Sequence, residues 1–108
     1  MTVGELINKL NLEVISQGDT SKEIDGCYCS DLLSHCMSAI ETGNIWITVQ
    51  VNINIVAIAV LTDLSAIIIS QNMSVGEDVI SRAKSEGVNI LKSPLPSYEL
   101  CVEIGKNI

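Results

Sequence analysis

The segment that decides the fold runs from Ser30 to Leu61 and reads SDLLSHCMSAIETGNIWITVQVNINIVAIAVL. Its first part predicts a helix, because Ser30 can cap the chain and Asp31 suits the positive end of a helix. Apolar residues then recur at helical spacing as far as Ile40. Gly43 follows, and glycine is a common residue just beyond a helix end.

The second part of the segment predicts a strand and then another helix. From Ile45 onward, apolar residues alternate with polar ones, which is the pattern of a strand covered on one face. The alternation is too long for a single strand in a small domain. We therefore expect a change near Gln50 to Asn52, with Val56–Leu61 forming a mostly buried helix.

Similar elements are predicted on both sides of this segment. Toward the N-terminus, Thr2 and Glu5 have capping-box spacing and predict a helix to about Leu10. Strands follow at Leu12–Ser16 and Ile24–Cys29. Toward the C-terminus we expect a strand at Ala66–Ser70, a helix with a Ser74/Glu77 capping box that ends at Gly87, a strand at Val88–Leu91 and a helix capped by Ser97.

The order of these elements indicates the fold class. A strand, a helix and another strand form a crossover, which makes the two strands parallel neighbours. We therefore expect residues 1–108 to form a single α/β domain, with a mainly parallel, mixed sheet covered by helices.

Composition argues against several classes of partner. The formal net charge is −7, and the Lys and Arg residues are scattered, so nucleic acid and anionic membrane surfaces are unfavourable partners. Polar residues interrupt the apolar stretch Ile45–Ile69, so we expect no membrane span. The N-terminus has no basic segment followed by an apolar run, so we expect no signal peptide and a cytoplasmic location.

Short motifs run along the chain in a characteristic order. They are Gly26, Ser30–Ser34, Gly43, Ile45–Thr48, Asn54–Ala59, Ala66–Ile69, Glu86–Val88, Ile90 and Leu91. In this order and spacing they resemble the DRTGG domain family, whose fold is similar to the N-terminal domain of HPr kinase. The Asp-Arg-Thr-Gly-Gly signature itself is missing. Its place holds Val49–Asn54, so a charged site has become a neutral amide site.

The resemblance implies a small, often dimeric regulatory domain of the kind attached to phosphotransacetylases, or to pyrophosphatases that contain nucleotide-sensing domains. We therefore expect a non-catalytic domain that senses a small polar ligand or a nucleotide and modulates a partner enzyme. A homodimer through an apolar surface rich in Ile and Val is expected, because leftover apolar surface usually marks an interface. No cofactor is expected.

The candidate ligand site lies beyond the carboxyl ends of the parallel strands, where ligands of α/β folds gather. Uncharged polar side chains are concentrated there: Thr48, Gln50 and Asn52 after the third strand, Gln71 and Asn72 after the fourth, and Ser93 after the fifth, next to the charged Lys92. They predict a site for a small polar ligand. The alternative is that they are ordinary turn and capping residues.

A second hypothesis is a metal or iron-sulfur accessory protein. Cys27, Cys29, His35 and Cys36 offer thiolates and an imidazole within a short stretch. The spacing is poor, because adjacent His35 and Cys36 diverge on a helix. The alternative is a set of small buried residues with a surface histidine. In a reducing compartment the four cysteines, Cys27, Cys29, Cys36 and Cys101, are not expected to form a disulfide framework.

Catalysis has the weakest support in the sequence. Asp31 and His35 are spaced i and i+4 on the predicted helix and could form a hydrogen-bonded pair. No nucleophile that such a pair would activate stands nearby, and Ser34 is adjacent rather than facing. We therefore expect no catalytic residues.

Overall fold

Helices and strands alternate along most of the chain. The computed structural model describes all 108 residues. In chain order the elements are α1 (Val3–Leu10), β1 (Glu13–Ser16), β2 (Cys27–Cys29), α2 (Leu33–Ala39), β3 (Ile45–Thr48), α3 (Asn54–Thr62), β4 (Ala66–Ile69), α4 (Glu77–Glu86), β5 (Ile90–Lys92) and α5 (Ser97–Gly105). None of these helices combines the length and the apolar character that crossing a membrane requires.

The strands form one five-stranded sheet in the order β1-β5-β4-β3-β2. Strands β2 to β5 are parallel, with Cys27 opposite Ile45 and Ile67 opposite Ile90. Only β1 is antiparallel, and it pairs with β5. The predicted single α/β domain with a mainly parallel, mixed sheet is confirmed.

The middle strands form the centre of the core. Every residue of β3 and β4 is buried. Parallel strands covered on both faces have this character, because helices of the crossovers lie over each face. Helices α2, α3 and α4 pack on one face around Trp46, and α1 and α5 pack on the other around Ile45 and Ile68. The domain is therefore a three-layer sandwich.

Local signals predicted some helix ends correctly. Glu5 N donates to Thr2 Oγ1 at 3.2 Å, and Thr2 N donates to Glu5 Oε1 at 2.8 Å. Both bonds of the predicted capping box are therefore present at the start of α1. Gly87 ends α4 with a φ of 70°, a left-handed conformation that glycine adopts without steric cost. The predicted change from strand to helix between Ile45 and Leu61 is also confirmed.

The predicted ends of α2 are wrong. The helix begins at Leu33 after Leu32, and no side chain caps it. The Ser30 hydroxyl accepts only a 3.4 Å bond from Leu32 N, and Asp31 lies outside the helix. The helix ends at Ala39, four residues before Gly43, which occupies a turn with a φ of 83°.

Two further capping predictions are also wrong. Gly76, rather than Ser74, precedes α4, and no side chain caps that helix. Pro96 precedes α5, and Ser97 is its first residue. Strand β2 starts only at Cys27, because Gly26 has a φ of 81° and breaks the extended chain.

Candidate functional site

Four loops meet where the parallel strands end. We call this region the carboxyl edge and define it as Ser30–Asp31, Val49–Asn52, Ser70–Met73 and Ser93–Leu95, the segments that follow β2, β3, β4 and β5. Backbone bonds connect these loops, since Ser70 N donates to the Thr48 carbonyl at 3.0 Å and Ser93 N donates to the Ile69 carbonyl at 3.0 Å. The topology therefore brings most of the predicted site residues to one edge of the sheet.

Hydrogen bonds join Asp31 of the carboxyl edge to Thr48, the last residue of β3. Thr48 is fully buried, and its hydroxyl donates to Asp31 Oδ1 at 2.8 Å. Val49 N donates to the same carboxylate oxygen at 2.9 Å. Gln50 is held as well, because its Nε2 donates to the Asp31 carbonyl at 3.1 Å and its backbone N donates to Thr48 Oγ1 at 3.0 Å. Asp31 therefore joins the loop after β2 to the loop after β3.

Asn52 and Ser93 behave as turn residues. Asn52 Oδ1 accepts a hydrogen bond from Asn54 N at 2.8 Å just before α3. Ser93 is buried, and its hydroxyl accepts from Leu95 N at 3.1 Å. The side-chain oxygens of Asn52 and Ser93 therefore accept local turn bonds, as the turn-forming alternative predicts.

Gln71 and Asn72 differ from the other members of the edge. Their φ values are 58° and 55°, so two consecutive non-glycine residues are left-handed. The backbone is tied down, since Gln71 N donates to the Leu95 carbonyl and Asn72 N to the Ser93 carbonyl, both at 2.9 Å. Both residues are exposed, and their amide side chains form no hydrogen bond. Strained backbone of this kind is concentrated at functional sites.

A pair of serine hydroxyls lies at the start of the turn that contains Gln71 and Asn72. Ser70 Oγ and Ser97 Oγ are 2.9 Å apart, which links the end of β4 to the start of α5. Sequence reasoning missed both this pair and the role of Asp31. The position of Asp31 just beyond the end of β2 is a signal that could have identified it, because the ends of parallel strands also identify Thr48 and Gln50 as candidates.

The surface depressions of the molecule lie away from the carboxyl edge. A polar one of about 150 Å³ lies at the opposite edge of the sheet, among Lys22, Asp63 and Asn89. A second of about 160 Å³ adjoins it near Gly43. An apolar groove of about 340 Å³ runs between α3 and α4. The carboxyl edge therefore presents its polar groups on an open surface.

The sheet divides the predicted cysteine cluster. Cys27 and Cys29 are paired in register with Ile45 and Ile47, and they lie on the face that α5 covers. Cys36 is buried with Trp46 on the other face. No group of three or more potential ligand side chains is placed to hold a metal ion. The predicted Cys27/Cys29/Cys36 cluster is therefore wrong as a single site.

The thiols near α5 are poor metal ligands and nucleophiles. Cys27 and Cys29 are exposed residues of an edge strand, but their thiols lie close to Cys101. Burial, followed by the neighbouring thiols, raises the pKa of Cys27 to about 12. Burial and a hydrogen bond with Cys101 raise the pKa of Cys29 to about 11. Both groups are protonated at neutral pH, whereas the thiolate is the reactive form.

The predicted Asp31–His35 pair does not form. The Asp31 carboxylate bonds Thr48 and Val49, and the His35 ring lies 6.5 Å from the Tyr28 ring, centroid to centroid. The helix on which both residues were expected contains only His35.

A mainly parallel sheet lies between two helix layers, and polar groups gather where the strands end, which is the edge at which α/β domains bind their ligands. The chain belongs to the DRTGG domain family, because the family model matches residues 5–106. No curated protein matches the chain.

A similar fold is found in the crystal structure of the CBS and DRTGG domains of the regulatory region of Clostridium perfringens pyrophosphatase, complexed with the activator diadenosine tetraphosphate. The TM-score is 0.73 at 14% sequence identity, and the match covers 95% of this chain and 45% of that chain. The likeness shows the fold, and the family model confirms the predicted family.

Proposed function

We propose that this chain is a non-catalytic regulatory domain that senses a small polar ligand or a nucleotide at its carboxyl edge and, as a homodimer, modulates a partner enzyme. The turn at Gln71 and Asn72 carries this proposal. It places two unpaired amides on a left-handed backbone at the end of β4, the central strand of the sheet. A backbone held in a sparsely populated conformation beneath exposed side chains is typical of functional sites.

The chemistry of the edge favours a neutral polar group over a bare anion. Amides donate and accept hydrogen bonds at once, as the edge of a nucleobase or a sugar does. The basic residue nearest these amides in the sheet is Lys92, whereas Asp31 contributes a carboxylate. A nucleotide would therefore be recognised mainly through its base and sugar.

The family context supports a regulatory role. The similar structure is a regulatory region of a pyrophosphatase, and that region was crystallised with an activating nucleotide. This chain spans less than half of that structure, so the activity of the whole enzyme is not transferred to it.

Titration calorimetry with adenosine, AMP, ATP and diadenosine tetraphosphate tests the proposal. We expect heat of binding with at least one of these probes, and a loss of about tenfold or more in affinity in Gln71→Ala, which removes an exposed amide that forms no hydrogen bond within the chain. Gln17→Ala is the matched control, because Gln17 is an exposed glutamine in the turn after β1, at the far edge of the sheet.

Two negative outcomes of the calorimetry would have different meanings. Equal affinity in wild type and Gln71→Ala would move the site away from the turn after β4 that carries the proposal. No heat with any of the probes, followed by a flat thermal-shift response to a panel of polar metabolites, would contradict ligand sensing itself.

A further inference from the structure

Helix α3 has an unusual composition for a helix at the surface. Its sequence NIVAIAVLT contains no charged residue. Helices that are apolar on every side are normally buried. Here Ile55 and Ile58 are buried against the sheet, whereas Val60 is 48% exposed and Leu61 is 70% exposed. The sequence predicted a mostly buried helix, and the isolated chain covers only one side of it.

The uncovered side has the spacing of a packing surface. Ile53, Ala57, Val60 and Leu61 follow one another at i, i+4, i+7 and i+8, and all of them are exposed. This spacing places apolar residues along one helix face. Helix α3 therefore has two apolar faces, of which the sheet covers one.

A groove lies beside this uncovered face. It has a volume of about 340 Å³ and is lined by Val56, Ala57, Val60 and Leu61 from α3 and by Arg82 and Glu86 from α4. The two charged residues stand one helical turn apart. Neither forms a salt bridge within the chain, and Arg82 is its only arginine. Arginine is enriched at protein interfaces.

We propose that a second copy of this chain docks on the α3–α4 groove about a twofold axis, with the Leu61 of each copy in the groove of the other and Arg82 of each copy facing the partner's Glu86. This inference rests on the homodimer in the proposed function and locates its interface. It also explains the composition of α3, because a charged residue on the outward face would be buried without a partner.

The rim of the groove favours a second copy over another protein. It carries one positive and one negative group, so a twofold axis brings each group opposite its complement. A strongly acidic partner helix would meet Glu86, and a strongly basic one would meet Arg82. On the other face of the sheet, α5 exposes Tyr98 and Val102, but Glu99 and Glu103 interrupt that surface.

Sedimentation equilibrium over a range of concentrations tests the interface. We expect a dimer for wild type and a dissociation constant raised by about 30-fold or more in Leu61→Glu, which places a charge at the centre of the contact. Val102→Glu is the matched control, because it changes an exposed apolar residue on the opposite face and should leave the dimer intact. Circular dichroism checks that the variants remain folded.

A charge exchange tests the twofold arrangement. Arg82→Glu and Glu86→Arg should each weaken self-association, because like charges then face each other across the axis. An equimolar mixture of these two variants should form a heterodimer, since each copy supplies the complement of the other. The double variant R82E/E86R should recover the homodimer.

Each failure has a distinct meaning. A dimer that is unchanged in Leu61→Glu would overturn this location of the interface and leave the homodimer in place. A monomeric wild type would overturn both the location and the homodimer, while the calorimetric test of ligand sensing would stand unaffected. A mixture of the charge variants that stays monomeric would overturn the twofold pairing of Arg82 and Glu86.

Discussion

The two edges of the sheet use polar residues in opposite ways. At the amino edge, where strands β3 to β5 begin, Asn89 is buried and its amide forms three hydrogen bonds, to Gly18 N at 2.7 Å, to the Asp19 carbonyl at 2.9 Å and to the Ser65 carbonyl at 3.0 Å. At the carboxyl edge, the Gln71 and Asn72 amides are exposed and form none. The same amide group is structural at one edge and available at the other.

The long connection between β1 and β2, residues 17–26, is also held at the amino edge by hydrogen bonds and close packing. Lys22 Nζ donates to Asp63 Oδ1 and to the Leu64 carbonyl, each at 3.2 Å. Gly18 passes so close to Gly87 that a Cβ added at Gly18 would clash with the Gly87 carbonyl oxygen. Apart from the Ser16 hydroxyl, every buried polar side-chain atom has a hydrogen-bond partner.

Polar residues near strand ends fall into two groups, according to whether their hydrogen bonds are satisfied within the chain. Groups that are satisfied within the chain contribute to stability, because breaking their bonds leaves buried polar atoms without partners. Exposed groups held on strained backbone lower stability and are therefore better candidates for recognition. The polar depression at the amino edge is a concavity that the carboxyl edge does not have, yet its principal side chains, Lys22, Asp63 and Asn89, are already bonded within the chain.

The largest expected effect concerns the amino edge. Asn89→Ala removes three hydrogen bonds at a buried position and should lower the free energy of unfolding by about 2 to 4 kcal/mol. Urea denaturation followed by circular dichroism measures this change. Asn8→Ala is the control, because Asn8 is exposed on α1 and its side chain makes no hydrogen bond, so the variant should be neutral or slightly stabilising. If Asn89→Ala lowered the free energy of unfolding as little as Asn8→Ala does, the Asn89 amide would not be structural, and the proposed contrast between the two edges would be wrong.

A smaller effect of opposite sign is expected at the carboxyl edge. Gln71→Gly relieves a left-handed non-glycine residue and should stabilise the fold by about 1 kcal/mol, while reducing the affinity for any ligand that contacts the amide. Asp63→Gly is the matched control, because Asp63 is left-handed at the end of α3 and lies at the opposite edge of the sheet. Asp63→Gly should leave binding unchanged. Destabilisation by Gln71→Gly would show that the amide is structural.

The smallest effect concerns acid pH and the amino-edge connection. Hydrogen bonds from the Ser21 hydroxyl and the Ser21 backbone lower the pKa of Asp19 from its ordinary value of 3.8. The folded state therefore holds the proton less tightly than the unfolded state, so Asp19 stabilises the fold above pH 3.8 and loses this contribution as pH falls through the lowered pKa. Urea midpoints of wild type and Asp19→Asn should differ slightly at pH 7, and the difference should shrink as the pH falls below 3.8. Curves that stay parallel would contradict this role.

Much of the fold could be predicted because its signals are local. The capping box of Thr2 and Glu5, the β-branched run of β4 and the left-handed Gly87 depend on neighbours within a few residues. The caps at Ser30 and Ser74 were predicted wrongly, because a serine near a helix start can enter other local turns. Asp31 left the predicted helix for a similar reason, since Thr48 and Val49, which are distant in sequence, bind its carboxylate.

The candidate site was only partly predictable for the same reason. Its position beyond the strand ends follows from the parallel topology, which the order of elements had already indicated. Which of its amides are free was not visible in the sequence, because Gln50, Asn52 and Gln71 are all ordinary turn residues there. Only the packed loops show that Gln50 and Asn52 are bonded and that Gln71 is not.

The sequence by itself determined the α/β class, the family resemblance and the order of helices and strands, since periodicity and short capping motifs act over neighbouring residues. Tertiary structure alone decided that the sheet separates Cys36 from Cys27 and Cys29, and that one side of α3 stays uncovered. These properties depend on which faces meet across the sheet. Contacts between distant parts of the chain fix them, and no local pattern encodes such contacts.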